Sequence, residues 1–166
     1  FLGTRIFGSS PKKVSPLIAA AVEGLHDGGV ATMCKHFPGH GGTQADSHDV
    51  LPVISTSLKA LRKNDLLTFQ AAVDAGTDAM LVGHLMFPKI DDRYMASLSK
   101  KIITDLLRGE MGFEGVVFSD DMRMGAVASK YSVGRAAVRF VQAGGDLVLI
   151  GKGLTRQKAI YAALRD

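Results

Sequence analysis

Apolar positions along this chain switch repeatedly between two periods. Short runs of aliphatic residues alternate with longer stretches in which apolar residues recur three or four positions apart, the periods of buried strands and half-buried helices. Residues 14–27 (VSPLIAAAVEGLHD) predict a helix stopped by Gly28 and Gly29. Residues 30–37 predict a buried strand, and 38–56, dense in Gly, Pro, Ser, Thr and Asp, a long loop. Residues 58–75 predict a helix with Leu66, Leu67, Ala71 and Val73 on its apolar face and Gly76 as its stop. A second strand over 78–83 ends at His84, and Ser99 is placed to cap a helix carrying Ile102, Ile103, Leu106 and Leu107. A third strand over 115–119 is closed by Asp120 and Asp121. A helix near 134–143, a fourth strand over 146–150 and a last helix over 156–164 complete the pattern.

Strict alternation of strand and helix predicts an α/β fold with parallel strands joined by crossovers. An open doubly wound sheet and a (β/α) barrel of TIM type both satisfy it. A whole barrel takes about 250 residues, so 166 residues with four legible strands amount to roughly half of one. Open strand edges on half a barrel would be left exposed, which predicts aggregation, oligomer formation or inactivity for this piece alone.

Composition changes this picture little. The 46% hydrophobic and 22% charged content is that of an ordinary globular domain. One cysteine, Cys34, excludes an intrachain disulfide framework, and its place inside a strand reads as a buried inert thiol. A formal charge of +4 comes from lysines and arginines that are spread out, with no basic run interleaved with aromatics, so nucleic acid is not the expected partner. No apolar run approaches the roughly 20 residues a membrane-spanning helix needs. The expected compartment is the cytoplasm, with a secreted or lipid-anchored form as the alternative.

The ends of parallel strands are where α/β folds carry their reactive groups. Three predicted ends bear polar residues that packing does not require. The first reads Lys35-His36-Phe37-Pro38-Gly39-His40-Gly41 and is followed by Asp46-Ser47-His48; the second is His84; the third is Ser119-Asp120-Asp121. His36, His40, His48 and Asp46 have the chemistry of zinc ligands, but Pro38 and Gly39 keep His36 and His40 off a single helix face, so no metal site is assigned. His84 reads equally as a core histidine or a pocket residue.

KHFPGHG followed by DSH, and later GFEGVVFSDDM, resemble the signature blocks of the family 3 β-N-acetylhexosaminidases. With Gly3-Thr4-Arg5-Ile6-Phe7-Gly8 and the strand before Gly151, the resemblance covers almost the whole chain, which it identifies as the C-terminal portion (1–166) of a family 3 barrel domain. It implies a retaining glycosidase without cofactor that acts on N-acetylglucosamine-containing carbohydrate, with muropeptides or chitooligosaccharides as substrates and peptidoglycan recycling as context. Carried over residue by residue, Asp120 is the nucleophile and His48 the acid/base in a dyad with Asp46. Lys35, His36 and Arg5 hold sugar hydroxyls, and Met124 lines the pocket. A histidine in place of the usual second carboxylate is chemically sensible, because imidazole donates and accepts protons near neutral pH. Asp121, pointing to the other side of the strand, supports. Phosphorolysis of the same bond and an inactive sugar-binding piece are the alternatives.

Overall fold

The computed structural model describes residues 3–43 and 45–165. Three parallel strands, β1 (Met33–Phe37), β2 (Ala79–Val82) and β3 (Val116–Ser119), form one sheet in the order β1-β2-β3. The central strand reads AMLV and is buried along its whole length, as expected of a parallel strand covered on both faces. Helices α1 (Pro11–Asp27) and α3 (Asp65–Asp74) pack together, as do α5 (Val133–Gln142) and α6 (Leu154–Arg165). The core between sheet and helices is built on fully buried Phe37, Met80, Leu85, Phe87, Ile103 and Phe140. No helix among the described residues is long and apolar enough to cross a membrane.

Among the described residues the sheet is open, with three strands rather than a closed barrel. The strand expected over 146–150 is reduced to an isolated bridge between Leu147 and Phe118. Leu147 still exchanges backbone bonds with β3, but the N–H of Leu149 goes to the Ser119 hydroxyl (2.9 Å) instead of a carbonyl. With no further strand among the described residues on their far side, Leu147 and Leu149 stay partly exposed and the ladder stops.

Two predicted helices also differ. The single helix over 58–75 divides at Asn64 into α2 (Leu58–Lys63) and α3. The Asn64 amide donates to the Ala60 carbonyl (3.2 Å), which takes the acceptor that the backbone N–H of residue 64 would use in a continuous helix. The helix after Ser99 runs over Lys101–Glu110 as a π-helix, closed by a bond from Met111 N–H to Leu106 O. The Ser99 hydroxyl accepts from Ile102 N–H at 3.3 Å and donates to Asp91 at 2.6 Å, so this residue does anchor the helix start.

Candidate active site

Because the strands are parallel, their C-terminal ends lie along one edge, and that edge collects Phe37, Val82 and Ser119 with the residues that follow. Asp120 is tied down at both levels. Its N–H donates to Val82 O of the neighbouring strand at 3.1 Å, and its Oδ1 accepts from Asp121 N–H at 2.8 Å. The other oxygen, Oδ2, lies 3.9 Å from His36 Nε2, and both side chains are largely buried.

His36 reaches Asp120 through an irregularity in β1. Pairing with β2 passes from Lys35 with Leu81 to Phe37 with Val82, leaving His36 out of the ladder, and such a bulge re-aims a side chain. Phe37 then buries completely and meets Phe69 edge to face. The turn beyond closes against α3. Gly39 has φ +137, and a Cβ there would sit 2.6 Å from Asp65 Oδ1, so only glycine allows this approach. His40 comes back to stand edge-on to His36 (5.5 Å between ring centres), with its Nε2 3.2 Å from Ser47 Oγ.

Burial pushes the His36 imidazole down to about 4, against the opposing pull of Asp120 and with help from Lys35, His40 and Arg5. His40 and His84 are lowered for the same first reason. All three are therefore neutral at pH 7. A histidine whose folded pKa lies below its unfolded one is protonated more readily in the unfolded chain, so stability falls as pH falls from about 6.5 toward 4. Asp78 belongs to a separate and lower window. The Thr32 N–H and the His26 ring hold it at about 2, so its contribution is intact above about 4 and lost as pH drops toward 2. Thermal melts between pH 7 and pH 4 should show a decline that His36→Asn makes shallower. An unchanged melting temperature across that range would contradict the neutral state of these rings.

The long loop carries the second cluster. Asp46 Oδ1 accepts from both His48 N–H (3.0 Å) and His48 Nδ1 (2.7 Å). A carboxylate can only accept, so Nδ1 carries the proton and Nε2 is left as the nitrogen that exchanges one. These bonds, the backbone N–H first and then the imidazole, keep Asp46 below the usual carboxylate range. The His48 side chain is 69% exposed. No hydrogen bond or ion pair among the described residues joins this dyad to Asp120. The loop is tied to the segment after β3 through its backbone, however, because Gly125 N–H donates to His48 O at 2.9 Å. A Cβ on Gly125 would lie 2.5 Å from Asp49 O and 2.8 Å from His48 O, so the loop rests where a side chain would have to be.

The remaining sequence-predicted residues divide. Arg5, in the short 3-10 turn Gly3–Arg5, and Lys35 are exposed, and their charges are felt by His36, which places them beside the cluster. Met124 precedes the short helix α4 (Gly125–Ala128), its N–H donates to Asp121 O, and at 7% exposure it offers little surface. Asp121 turns away from Asp120 and is occupied by Arg123 Nη2 (2.6 Å), Arg123 N–H (2.9 Å) and Gly151 N–H (3.3 Å). Cys34 is half-buried, and burial raises its thiol pKa, which does not suit a nucleophile. Among the described residues no three His, Cys, Asp or Glu side chains stand together as a metal site would require.

The arrangement is thus a largely buried carboxylate beside a neutral imidazole, with an exposed histidine held by an aspartate on an adjacent loop. Comparison with known proteins agrees with the family features of the sequence. The model of the glycosyl hydrolase family 3 N terminal domain matches residues 2–165. Curated proteins named beta-hexosaminidase match along the chain: one from Stenotrophomonas maltophilia (strain K279a) is 42% identical over 97% of this chain and 48% of its own length. Another, from Pseudomonas aeruginosa (strain LESB58), is 36% identical over 99% and 49%. The chain therefore spans about half the length of these curated relatives. Among solved structures, a family 3 beta-N-acetylglucosaminidase from Paenibacillus sp. str. FPU-7 superimposes with a TM-score of 0.95 at 41% identity, covering 98% of this chain and 31% of that one. The beta-glucoside phosphorylase BglX does so with a TM-score of 0.88 at 25% identity, covering 97% and 30%. The chain belongs to glycosyl hydrolase family 3.

Proposed function

We propose that this chain supplies the catalytic groups of a retaining glycosidase that removes terminal β-linked N-acetylglucosamine from oligosaccharides such as muropeptides or chitooligosaccharides. The observation that carries the reading is Asp120 itself. One carboxylate oxygen is fixed by its own turn, and the other faces a neutral ring in place of a cation that would quench it. In the first step Asp120 Oδ2 attacks the anomeric carbon, the bond to the aglycone oxygen breaks, and that oxygen takes the proton from His48 Nε2. In the second step His48 Nε2 removes a proton from water, whose oxygen displaces Asp120 and restores the β configuration. Asp46 keeps a proton on His48 Nδ1, which leaves Nε2 as the nitrogen that gives a proton in the first step and takes one in the second. Lys35 and Arg5, each a multiple donor, and His36 bind sugar hydroxyls.

Release of p-nitrophenol from its β-N-acetylglucosaminide by the complete protein tests this reading; no release from that substrate by a folded protein would refute it. Phosphorolysis is the second reading, favoured by two observations. An imidazole acid/base does not repel phosphate as a carboxylate would, and a similar structure is named a phosphorylase. The same assay with and without phosphate separates them, since a phosphorylase yields the sugar 1-phosphate and accelerates with phosphate.

The contact of the loop with Gly125 makes a further expectation. Gly125→Ala should displace the backbone at His48 and Asp49 and lower kcat by up to about 10²-fold, the scale of effect from misplacing a catalytic group by about 1 Å. Steady-state kinetics with a circular-dichroism melt checks it: unchanged kcat would mean that the loop does not work from this position.

A further inference from the structure

Beneath the Asp120 turn lies a histidine that this chemistry leaves unused. His84 follows β2 by two residues and is fully buried. Both ring nitrogens are engaged: Nε2 is 3.1 Å from Asp121 O and Nδ1 is 2.7 Å from Ser97 Oγ. A carbonyl only accepts, so Nε2 carries the proton. Burial keeps the ring neutral, so Nδ1 is an acceptor and the Ser97 hydroxyl donates to it. Ser97 is itself fully buried in the 3-10 turn Ala96–Leu98, which is tied to the segment after β2 by Ala96 N–H donating to Leu85 O at 2.7 Å.

The result is a directed chain of donors, from Ser97 to His84 to the carbonyl of the residue next to Asp120. Asp120 is bracketed from β2 and the residues after it, its own N–H fixed on Val82 O and the following carbonyl fixed by His84. A purely structural histidine would serve as filling, but filling alone favours an apolar side chain, since burying an imidazole costs free energy unless both nitrogens are satisfied. Here both nitrogens are satisfied, and one of them is spent on the backbone that aims the carboxylate. We infer that His84 is a positioning residue for Asp120, acting through the Asp121 carbonyl, with its tautomer set by Ser97. The inference rests on the reading of Asp120 as nucleophile.

The test compares His84→Gln and His84→Asn in the complete protein, with Asp120→Ala alongside. A glutamine amide reaches to where Nε2 stands and can still donate to Asp121 O; an asparagine amide stops short, near Nδ1. Positioning predicts that His84→Gln keeps kcat within about fivefold of the parent. It predicts that His84→Asn loses on the order of 10²-fold in kcat with KM within about twofold. Ser97→Ala, which frees the tautomer, should lower kcat several-fold. Equal kcat for the two His84 variants, losses that follow melting temperature alone, or an effect confined to KM would overturn the inference. Activity that survives Asp120→Ala would overturn the nucleophile reading instead, so the two failures are distinguishable.

Discussion

Asp120→Ala should lower kcat by on the order of 10⁴-fold or more, equivalent to about 5.5 kcal/mol of lost transition-state stabilisation. The variant should melt close to the parent. Asp120 contributes to the fold mainly through its backbone, whose N–H stays on Val82 O after the substitution, while its carboxylate accepts a bond within its own turn. A double displacement has no alternative path once the attacking oxygen is gone, so the loss should appear with good and poor leaving groups alike. Asp120→Asn, which keeps the shape of the side chain, should be as damaging. Turnover of an aryl glycoside and of an unactivated disaccharide, with a melt of each variant, measures all of this.

His48→Ala should follow a different pattern. General acid–base groups contribute about 10²–10⁴-fold, and the larger loss should fall on substrates whose leaving oxygen needs a proton. p-Nitrophenolate departs without one, so with that substrate the first step should be nearly normal and hydrolysis of the glycosyl-enzyme should become limiting. A burst of p-nitrophenol followed by a slow steady state is the expected trace. The side chain is 69% exposed and its partner Asp46 lies on the same loop, so stability should change by no more than about 0.5 kcal/mol. A uniform loss across leaving groups would instead assign His48 to binding or loop structure.

The polar residues at the strand ends were legible in the sequence because they fall where the apolar pattern stops, whereas Asp46, His48 and Arg5 are marked only by the family resemblance. The end of each predicted strand is marked by the switch from aliphatic to polar residues, and those positions are the ones the parallel sheet aligns along one edge. The fourth strand was misread because its alternation of apolar residues describes a strand with partners on both sides, and here only β3 is present to pair with it. Asn64 was hidden because its side chain competes with the backbone for one carbonyl, a choice that hydrophobic periodicity does not register. The roles of Gly125, Ser97 and His84 depend on contacts between residues 13 to 77 positions apart, which no local pattern expresses. Met124, which the family resemblance places at the pocket, is 7% exposed, a burial that the local pattern after a strand end does not express. Lys35 and His36 sit side by side in sequence, yet across the break in β1 pairing the first is exposed and the side chain of the second is largely buried.

The central claim, a covalent bond between sugar and Asp120, is tested most directly by mass spectrometry of protein quenched during turnover of an activated fluorinated glycoside whose glycosyl-enzyme hydrolyses slowly. The account predicts one added glycosyl mass, mapping to the peptide that contains Asp120. An adduct on another residue, or an active protein that forms none and releases a product of inverted configuration, would contradict it.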